Sequence, residues 1–147
     1  MFELEDRLME NEAGILGRRW FEEVWNERRD EAIDELMASN AVGHMEGGDV
    51  HGPAEFRNAR AVFLNALPDM HITVEGVLSQ GDQAVVRWRV QATHTGELLG
   101  IPPTHLKVEV RGMSWLTVRH GKVVEGWDTW NLGGLLDSLR STASQVS

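Results

Sequence analysis

The second half of the chain alternates apolar and polar residues over long stretches that are separated by short turn signals. A period of two places apolar side chains on one face of a strand, whereas a helix repeats about every 3.6 residues. Gln80-Gly81-Asp82 and His120-Gly121 are typical turns, and connections this short join antiparallel neighbours. This half is therefore predicted to form an antiparallel sheet with one buried face.

The first half of the chain has helical periodicity instead. Large apolar residues recur every four positions from Leu16 to Val24, which predicts a first helix over residues 5–27. Asp30 is a favoured N-cap for a short second helix. Pro53 occupies the first position of a third helix, where its missing N–H costs nothing. The chain is thus predicted to run from helices into a sheet.

Shorter signals complete the organisation. Residues 41–46 are predicted to form a short strand, and leucines from Leu132 to Leu139 mark a final helix. The Ser/Thr-rich end, residues 141–147, is expected to be loose. No repeat or linker divides the chain, so residues 1–147 are interpreted as a single α+β domain with helices on one face of a curved sheet.

Charge and composition exclude several classes of function. The formal net charge of -9 argues against binding to nucleic acid, which needs a basic surface. The chain has no cysteine, and its histidines form no HxH or HExxH pair, so we expect no metal site. No segment has the ~20 apolar residues of a membrane span. The acidic N-terminal segment lacks the apolar run of a secretory signal, so a cytoplasmic protein is expected.

A carboxylate lies among tryptophans near the end of the last predicted strand. Asp128 has the same parity as Trp130 and the opposite parity to Trp127. Burial among aromatic rings raises the pKa of a carboxyl group, which prepares it for acid–base chemistry near neutral pH. Asp128 is therefore the predicted catalytic residue. The alternative is that Asp128 caps the final helix, a role that Thr129 or Asn131 also fits.

The same parity rule predicts which side chains share a pocket with Asp128. Each of them falls on the inward face of its strand, and several large rings there suit a flat apolar ligand. Histidine at such a position is more often a hydrogen-bonded core residue than a catalytic base. The predicted substrate-binding residues are His44, Trp88, His94, Ser114, Leu116 and Trp130.

The opposite face of the sheet mixes arginine, methionine and tryptophan. Such a mixture is enriched in protein interfaces, and exposed apolar patches generally mark contacts. A solvated face with snorkelling arginines is the alternative. We predict a homodimer through this face, formed by Arg87, Arg89, Arg111, Met113, Trp115 and Trp127.

Six short motifs follow one another along nearly the whole chain. They are WFEEVWN at 20–26, DEAIDELM at 30–37, HGP at 51–53, ALPDM at 66–70, HTGELLGIPPT at 94–104 and HGKVVEGWD at 120–128. In this order and spacing they resemble the SnoaL-like polyketide cyclase family of the NTF2-like superfamily. The resemblance implies a cone-shaped α+β barrel, in which helices close a pocket inside a strongly bent antiparallel sheet. It also implies pairing through the open face of the sheet.

The resemblance carries expectations about the reaction. The name-giving cyclases close a ring by an intramolecular aldol reaction without metal or cofactor, and an aspartate near the end of the last long strand is their acid–base residue. Asp128 matches that aspartate. The family's histidine, fourteen residues earlier, is replaced here by Ser114, which cannot hold a proton in reserve. The fold is expected to carry over, whereas aldol cyclisation does not follow from the fold.

Three functions remain open at this point. The first is a cofactor-free acid–base enzyme that acts on a hydrophobic, carbonyl-bearing small molecule. The second is a non-catalytic protein that binds a small apolar molecule in the same pocket. The third is an accessory dimer whose sheet face, rather than its pocket, carries the function. A raised pKa at Asp128 favours the enzyme over the binding protein.

Overall fold

The computed structural model describes residues 10–146 and has the α+β architecture predicted from the sequence. The α-helices are α1 (Glu12–Arg19), α2 (Asp30–Leu36), α3 (Gly52–Ala66) and α4 (Leu132–Val146). A π-helical segment (Trp20–Asn26) continues directly from α1. The strands are β1 (Met37–Met45), β2 (Gly48–His51), β3 (His71–Gln80), β4 (Gln83–Thr93), β5 (Lys107–Arg119) and β6 (Lys122–Trp130).

All six strands belong to one curled sheet in the order β2-β1-β6-β5-β4-β3. Neighbouring strands are antiparallel except β1 and β6, which are parallel. Strands β2 and β3 are the two edges, so the sheet does not close on itself. The bent sheet is confirmed. The parallel pair was not predicted, because turn signals reveal only the pairing of strands that are adjacent in sequence.

The first helix changes geometry at Trp20. In a π-helix each N–H bonds the fifth preceding carbonyl, so residues five apart lie on one face. Trp20 and Trp25 are such a pair, and both rings contact Phe56 on α3, with centroid distances of 4.9 and 5.8 Å. The segment ends at Asn26, whose side-chain amide exchanges two hydrogen bonds of 2.7 Å with the backbone of Ile72 on β3. The predicted start of this helix, at residue 5, lies outside the described residues.

The second helix begins differently from the prediction. Asp30 is the first residue of α2, and Arg29 precedes it as the N-cap without a capping bond from its side chain. The Asp30 carboxylate accepts hydrogen bonds of 3.0 Å from Arg57 and Arg60 on α3. The predicted N-cap role of Asp30 is wrong, because these two arginines hold its carboxylate.

Several boundaries also differ from the prediction. Strand β1 begins at Met37 rather than residue 41, and β2 was not predicted. Helix α4 continues through Val146, beyond the point at which the chain was expected to become loose. None of the helices within residues 10–146 has the length and apolar character needed to cross a membrane.

The concave face of the sheet packs on the helices, and strand β5 shows how completely the two faces differ. Ser114 and Leu116 point inward and are buried, with 1% and 4% of their surface exposed. Met113 and Trp115 point outward and are about half exposed, at 51% and 52%. The alternation predicted for this strand is confirmed. The alternation places Ser114 on the concave face of the sheet and Trp115 on the outer face.

Candidate functional site

A cavity lies between the concave face of the sheet and the helices. It encloses about 80 Å³, and about 660 Å³ of atom-free space extends from it to the solvent at its mouth. The enclosed volume is well below the roughly 300–1,000 Å³ of typical small-molecule sites. Among the described residues its lining has one charged side chain, Asp128, in an otherwise aromatic and aliphatic wall. The lining comprises Trp20, Phe21, Trp25, Met45, Phe56, Phe63, Leu67, Met70, Ile72, Trp88, Val90, Val110, Asp128, Trp130 and Leu135.

Two hydrogen bonds in series hold the Asp128 carboxyl group. Ser114 on β5 lies directly opposite Asp128 on β6, and its hydroxyl donates to Oδ1 at 2.5 Å. The indole N–H of Trp88 donates to the same serine oxygen at 3.0 Å. No described residue forms a hydrogen bond with Asp128 Oδ2. Strand register therefore fixes one of the two carboxyl oxygens.

The surroundings of Asp128 favour its neutral form. Burial raises the pKa of the Asp128 carboxyl group, the Ser114 hydrogen bond opposes that effect, and the nearby Glu46 carboxylate adds to it. The net result is a pKa above the ordinary range of aspartate. A carboxyl group that titrates closer to neutral pH is a better proton acceptor when ionised and a usable donor when protonated.

Helix α4 has its own cap, so Asp128 is not needed for that role. Asn131 Oδ1 accepts the N–H of Gly134 at 2.9 Å, and the Asn131 carbonyl accepts the N–H of Leu135 at 3.2 Å. The alternative that Asp128 caps the final helix is therefore wrong, whereas the suggestion of Asn131 is confirmed.

The structure brings together four of the residues predicted to share the pocket. Trp88 and Trp130 line the cavity, and Ser114 is hydrogen-bonded to Asp128. Leu116 lines a smaller space of about 40 Å³ that shares Asp128 and Trp20 with the main cavity. The parity rule thus places these side chains on the face that carries Asp128.

His44 does not lie in the cavity, contrary to its predicted inward parity. His44 pairs directly with Trp127, so its side chain lies on the outer face of the sheet. The two rings stack with centroids 5.2 Å apart. The imidazole nitrogens lie 3.0 Å from a carboxylate oxygen of Asp49 and 2.8 Å from one of Glu125. A neutral ring has a single N–H, so this arrangement fits imidazolium, and the same bonds raise the pKa of His44.

His94 is fully buried, but it also lies outside the cavity lining. Its Nδ1 is 2.9 Å from the Thr104 hydroxyl and accepts the Thr104 backbone N–H at 3.2 Å. These contacts tie the ends of the segment between β4 and β5 together. Burial lowers the pKa of His94, so the ring stays neutral. The strand parity that predicted a pocket position stops at Thr93, where β4 ends.

The part of the cavity wall that the helices form was not predicted from the sequence. Trp20, Phe21 and Trp25 were interpreted as a core stripe, and the structure shows that they also face the ligand space. Phe56 and Phe63 of α3 complete that wall. The available signal was the unusual number of aromatic residues at helical spacing. Periodicity distinguishes an inward side from an outward side, but it does not distinguish a core from a cavity.

The outer face of the sheet carries a continuous cross-strand row. Pairing places its members side by side across all six strands: Leu78, Val85, Trp115, Trp127, His44 and Asp49. We call this set the outer row. Its first four members are apolar, and Leu78, Trp115 and Trp127 are 79%, 52% and 41% exposed. The solvent side of the sheet is thus apolar across its middle.

Charges flank the outer row on its two sides. Arg87 and Met113 pair on one side, followed by the pair Arg89 and Arg111. Glu125 lies on the other side, where it pairs with Thr117. The outward orientation predicted for Met113, Trp115, Trp127 and the arginines is confirmed.

Solved structures with the same fold include proteins linked to polyketide metabolism. AclR of Streptomyces galilaeus, thought to be a hydroxylase, is 30% identical and has a TM-score of 0.75, covering 87% of this chain and 84% of its own. IdmH of Streptomyces antibioticus, thought to be a polyketide cyclase, is 27% identical with a TM-score of 0.76, covering 88% and 99%. A SnoaL-like protein from Jannaschia sp. CCS1 is 24% identical with a TM-score of 0.81, covering 87% and 91%, and supports the fold alone.

Two further comparisons concern sequence rather than shape. A comparison with curated proteins found no match. The model of the family described as SnoaL-like polyketide cyclase matches residues 15–139, which include Ser114, Asp128 and every described residue of the cavity wall. The expected resemblance is confirmed, and this chain belongs to the SnoaL-like polyketide cyclase family.

Proposed function

We propose that this protein is an acid–base enzyme that acts on a hydrophobic, carbonyl-bearing small molecule and needs no metal or cofactor. Asp128 is the proton-transferring group in a polyketide cyclase-like reaction of the aldol type or a related proton transfer. One observation carries the proposal: among the described residues, Asp128 is the single ionisable side chain that lines an otherwise apolar cavity, and Ser114 fixes one of its carboxyl oxygens. Proteins rarely keep a buried carboxyl group without a use for its altered pKa.

The proposed step moves one proton. Ionised Asp128 takes a proton from the carbon next to the substrate carbonyl through Oδ2, and the electrons of the broken C–H bond form an enolate. The cavity then holds a neutral acid and an enolate in place of a carboxylate and a neutral ketone. Its net charge is unchanged, so the transfer adds no buried charge to the apolar surroundings. The enolate then either recovers the proton from Asp128 at carbon or attacks a second carbonyl of the same molecule, and the alkoxide formed by that attack takes the proton from Asp128.

A proton-exchange assay tests this proposal without the natural substrate. We expect the wild-type protein to catalyse exchange of the α-protons of 2-tetralone, a flat apolar ketone, in deuterated buffer. NMR should show loss of the α-proton signal at least about tenfold faster than in buffer alone. The rate should rise with pH through the raised pKa of Asp128, because only the ionised form accepts a proton.

The binding-protein alternative predicts a different result. A protein that only holds an apolar molecule would quench its tryptophan fluorescence on ketone binding but leave exchange at the buffer rate. Binding without exchange, tested over several ketones and across the titration of Asp128, would refute the enzyme and support that alternative.

We also propose that the protein forms a homodimer through the outer row. Exposed tryptophans at Trp115 and Trp127 are costly in water and are enriched in interfaces. A two-fold axis along the outer row would place the side that carries Arg87 opposite the side of the second copy that carries Glu125. The apolar middle of the outer row and the opposite charges on its two sides support a second copy of this chain as the partner.

Replacing Trp115 with glutamate tests the proposed dimer. We expect Trp115→Glu to weaken self-association by about 100-fold or more, because a charge enters the centre of the interface and does so twice. Sedimentation equilibrium measures the change. Ile15→Glu is the matched control, since Ile15 on α1 is equally exposed at 49% but lies on the helical side. A monomeric wild-type protein at high micromolar concentration, or equal effects of both variants, would refute the proposed interface.

A further inference from the structure

Gly112 provides the space that the indole ring of Trp88 occupies. The two residues pair directly across β4 and β5. A Cβ atom on Gly112 would lie 2.5 Å from Cζ2 and 2.6 Å from Cη2 of Trp88. These distances are far inside the ~3.5–4.0 Å of favourable carbon contacts. The same Cβ would lie 2.7 Å from the Thr129 carbonyl, so the strand has no room to move away. A side chain at position 112 would therefore displace the indole.

In this position the indole dictates how the Ser114 hydroxyl is oriented. Indole nitrogen only donates, so the Ser114 oxygen must accept in the 3.0 Å contact with Trp88. The one hydroxyl hydrogen of Ser114 is then free to point to Asp128 Oδ1, 2.5 Å away. Hydrogen bonds arranged in series polarise one another, which strengthens the second bond. The chain of contacts thus has one direction, from Trp88 through Ser114 to Asp128.

We propose that Trp88, held in place by Gly112, is a positioning residue that fixes the Ser114 hydroxyl as a hydrogen-bond donor to Asp128. Trp88 then acts on Asp128 only through Ser114. The arrangement occupies Oδ1 and selects Oδ2 as the atom that exchanges a proton with the substrate. The catalytic meaning of this arrangement rests on the proposed function, but the hydrogen-bond relay exists whether or not the protein turns over a substrate.

A double-mutant cycle tests the relay without an activity assay. The titration of Asp128 is followed by NMR of its carboxyl carbon, which is assigned by its absence from Asp128→Asn. We expect Trp88→Phe to raise the titration midpoint by about half a pH unit or more, because the ionised form loses part of its stabilisation. Ser114→Ala should raise it further. In the Ser114→Ala background, Trp88→Phe should produce no additional shift.

Two further variants make the result specific. Gly112→Ala should raise the midpoint when Ser114 is present and not when it is absent, because it displaces the same indole. Gly112→Ala displaces the indole and Trp88→Phe removes its N–H, so both variants disrupt the hydrogen bond from Trp88 to Ser114. Either variant therefore suffices if the other fails to fold. Trp130→Phe removes a cavity indole that is outside the relay, and its effect should be the same with and without Ser114.

The cycle has clear opposing outcomes. If Trp88→Phe and Gly112→Ala shift the midpoint equally in both backgrounds, or not at all, the positioning role is refuted. If the coupling through Ser114 is found but the wild-type protein fails the proton-exchange assay, the relay stands and the acid–base function falls. The two proposals are thus tested by separate measurements.

Discussion

Replacing Asp128 with asparagine is expected to lower the rate of catalysed α-proton exchange by about 10²- to 10⁴-fold, which is the usual contribution of a positioned acid–base group. Asparagine has nearly the same shape and can still accept the Ser114 hydrogen bond, but it has no group that accepts a proton at neutral pH. Ketone binding should be retained, since the apolar wall is unchanged. The measurement is the exchange rate of 2-tetralone together with its affinity from tryptophan fluorescence.

The control for this variant is another aspartate converted in the same way. Asp137 lies on α4 with 82% of its side chain exposed, so Asp137→Asn removes a carboxylate of equal charge far from apolar surroundings. Its exchange rate should match that of the wild-type protein. Undiminished exchange in Asp128→Asn would show that the catalytic proton acceptor is a different group.

The same substitution is expected to stabilise the folded protein near neutral pH. Because burial raises the pKa of Asp128, the wild-type fold loses stability as pH rises from the unfolded-state value of about 3.9 through the folded-state pKa. Asparagine cannot ionise, so the variant avoids that loss. Each unit by which the pKa is raised corresponds to about 1.4 kcal/mol of relative stabilisation above the folded-state pKa.

Urea denaturation at a series of pH values measures this second effect. The difference in the free energy of unfolding between Asp128→Asn and wild type should grow as Asp128 ionises and then level off. Asp137→Asn is again the control, because its side chain is largely exposed. A variant that is less stable than wild type at every pH would mean that Asp128 is a structural residue. A gain in stability with a loss of turnover is the usual mark of a functional group kept at a cost.

Strand periodicity was sufficient to place the side chains on the sheet side of the candidate site. Asp128, Ser114 and Trp88 lie on three consecutive antiparallel strands, where short turns fix the neighbours and alternation fixes the face. The hydrogen bonds between them were not predictable, because parity gives a direction and not a distance. The role of Gly112 was equally hidden, since a glycine in a strand has no pattern that reveals which ring lies on it.

The two histidines were not placed correctly from the sequence. His44 was placed inward, but it pairs with Trp127 on the parallel strand β6 and lies on the outer face. His94 follows the last residue of β4, so alternation no longer applies to it. The motifs that resemble the SnoaL-like family nevertheless predicted the fold correctly. They did not assign a role to either histidine.

The π-helical segment makes the cavity sensitive to chain length as well as to residue type. Trp20 and Trp25 share a face only because this turn is wider than that of an α-helix. An α-helix over the same residues would turn Trp25 about 140° away from Trp20, because each residue advances about 100°. Losing one residue between the two tryptophans would restore an α-helix in which they are four apart and share a face again. Relatives and engineered forms of this protein should therefore tolerate the loss of one residue between Trp20 and Trp25 more readily than the gain of one.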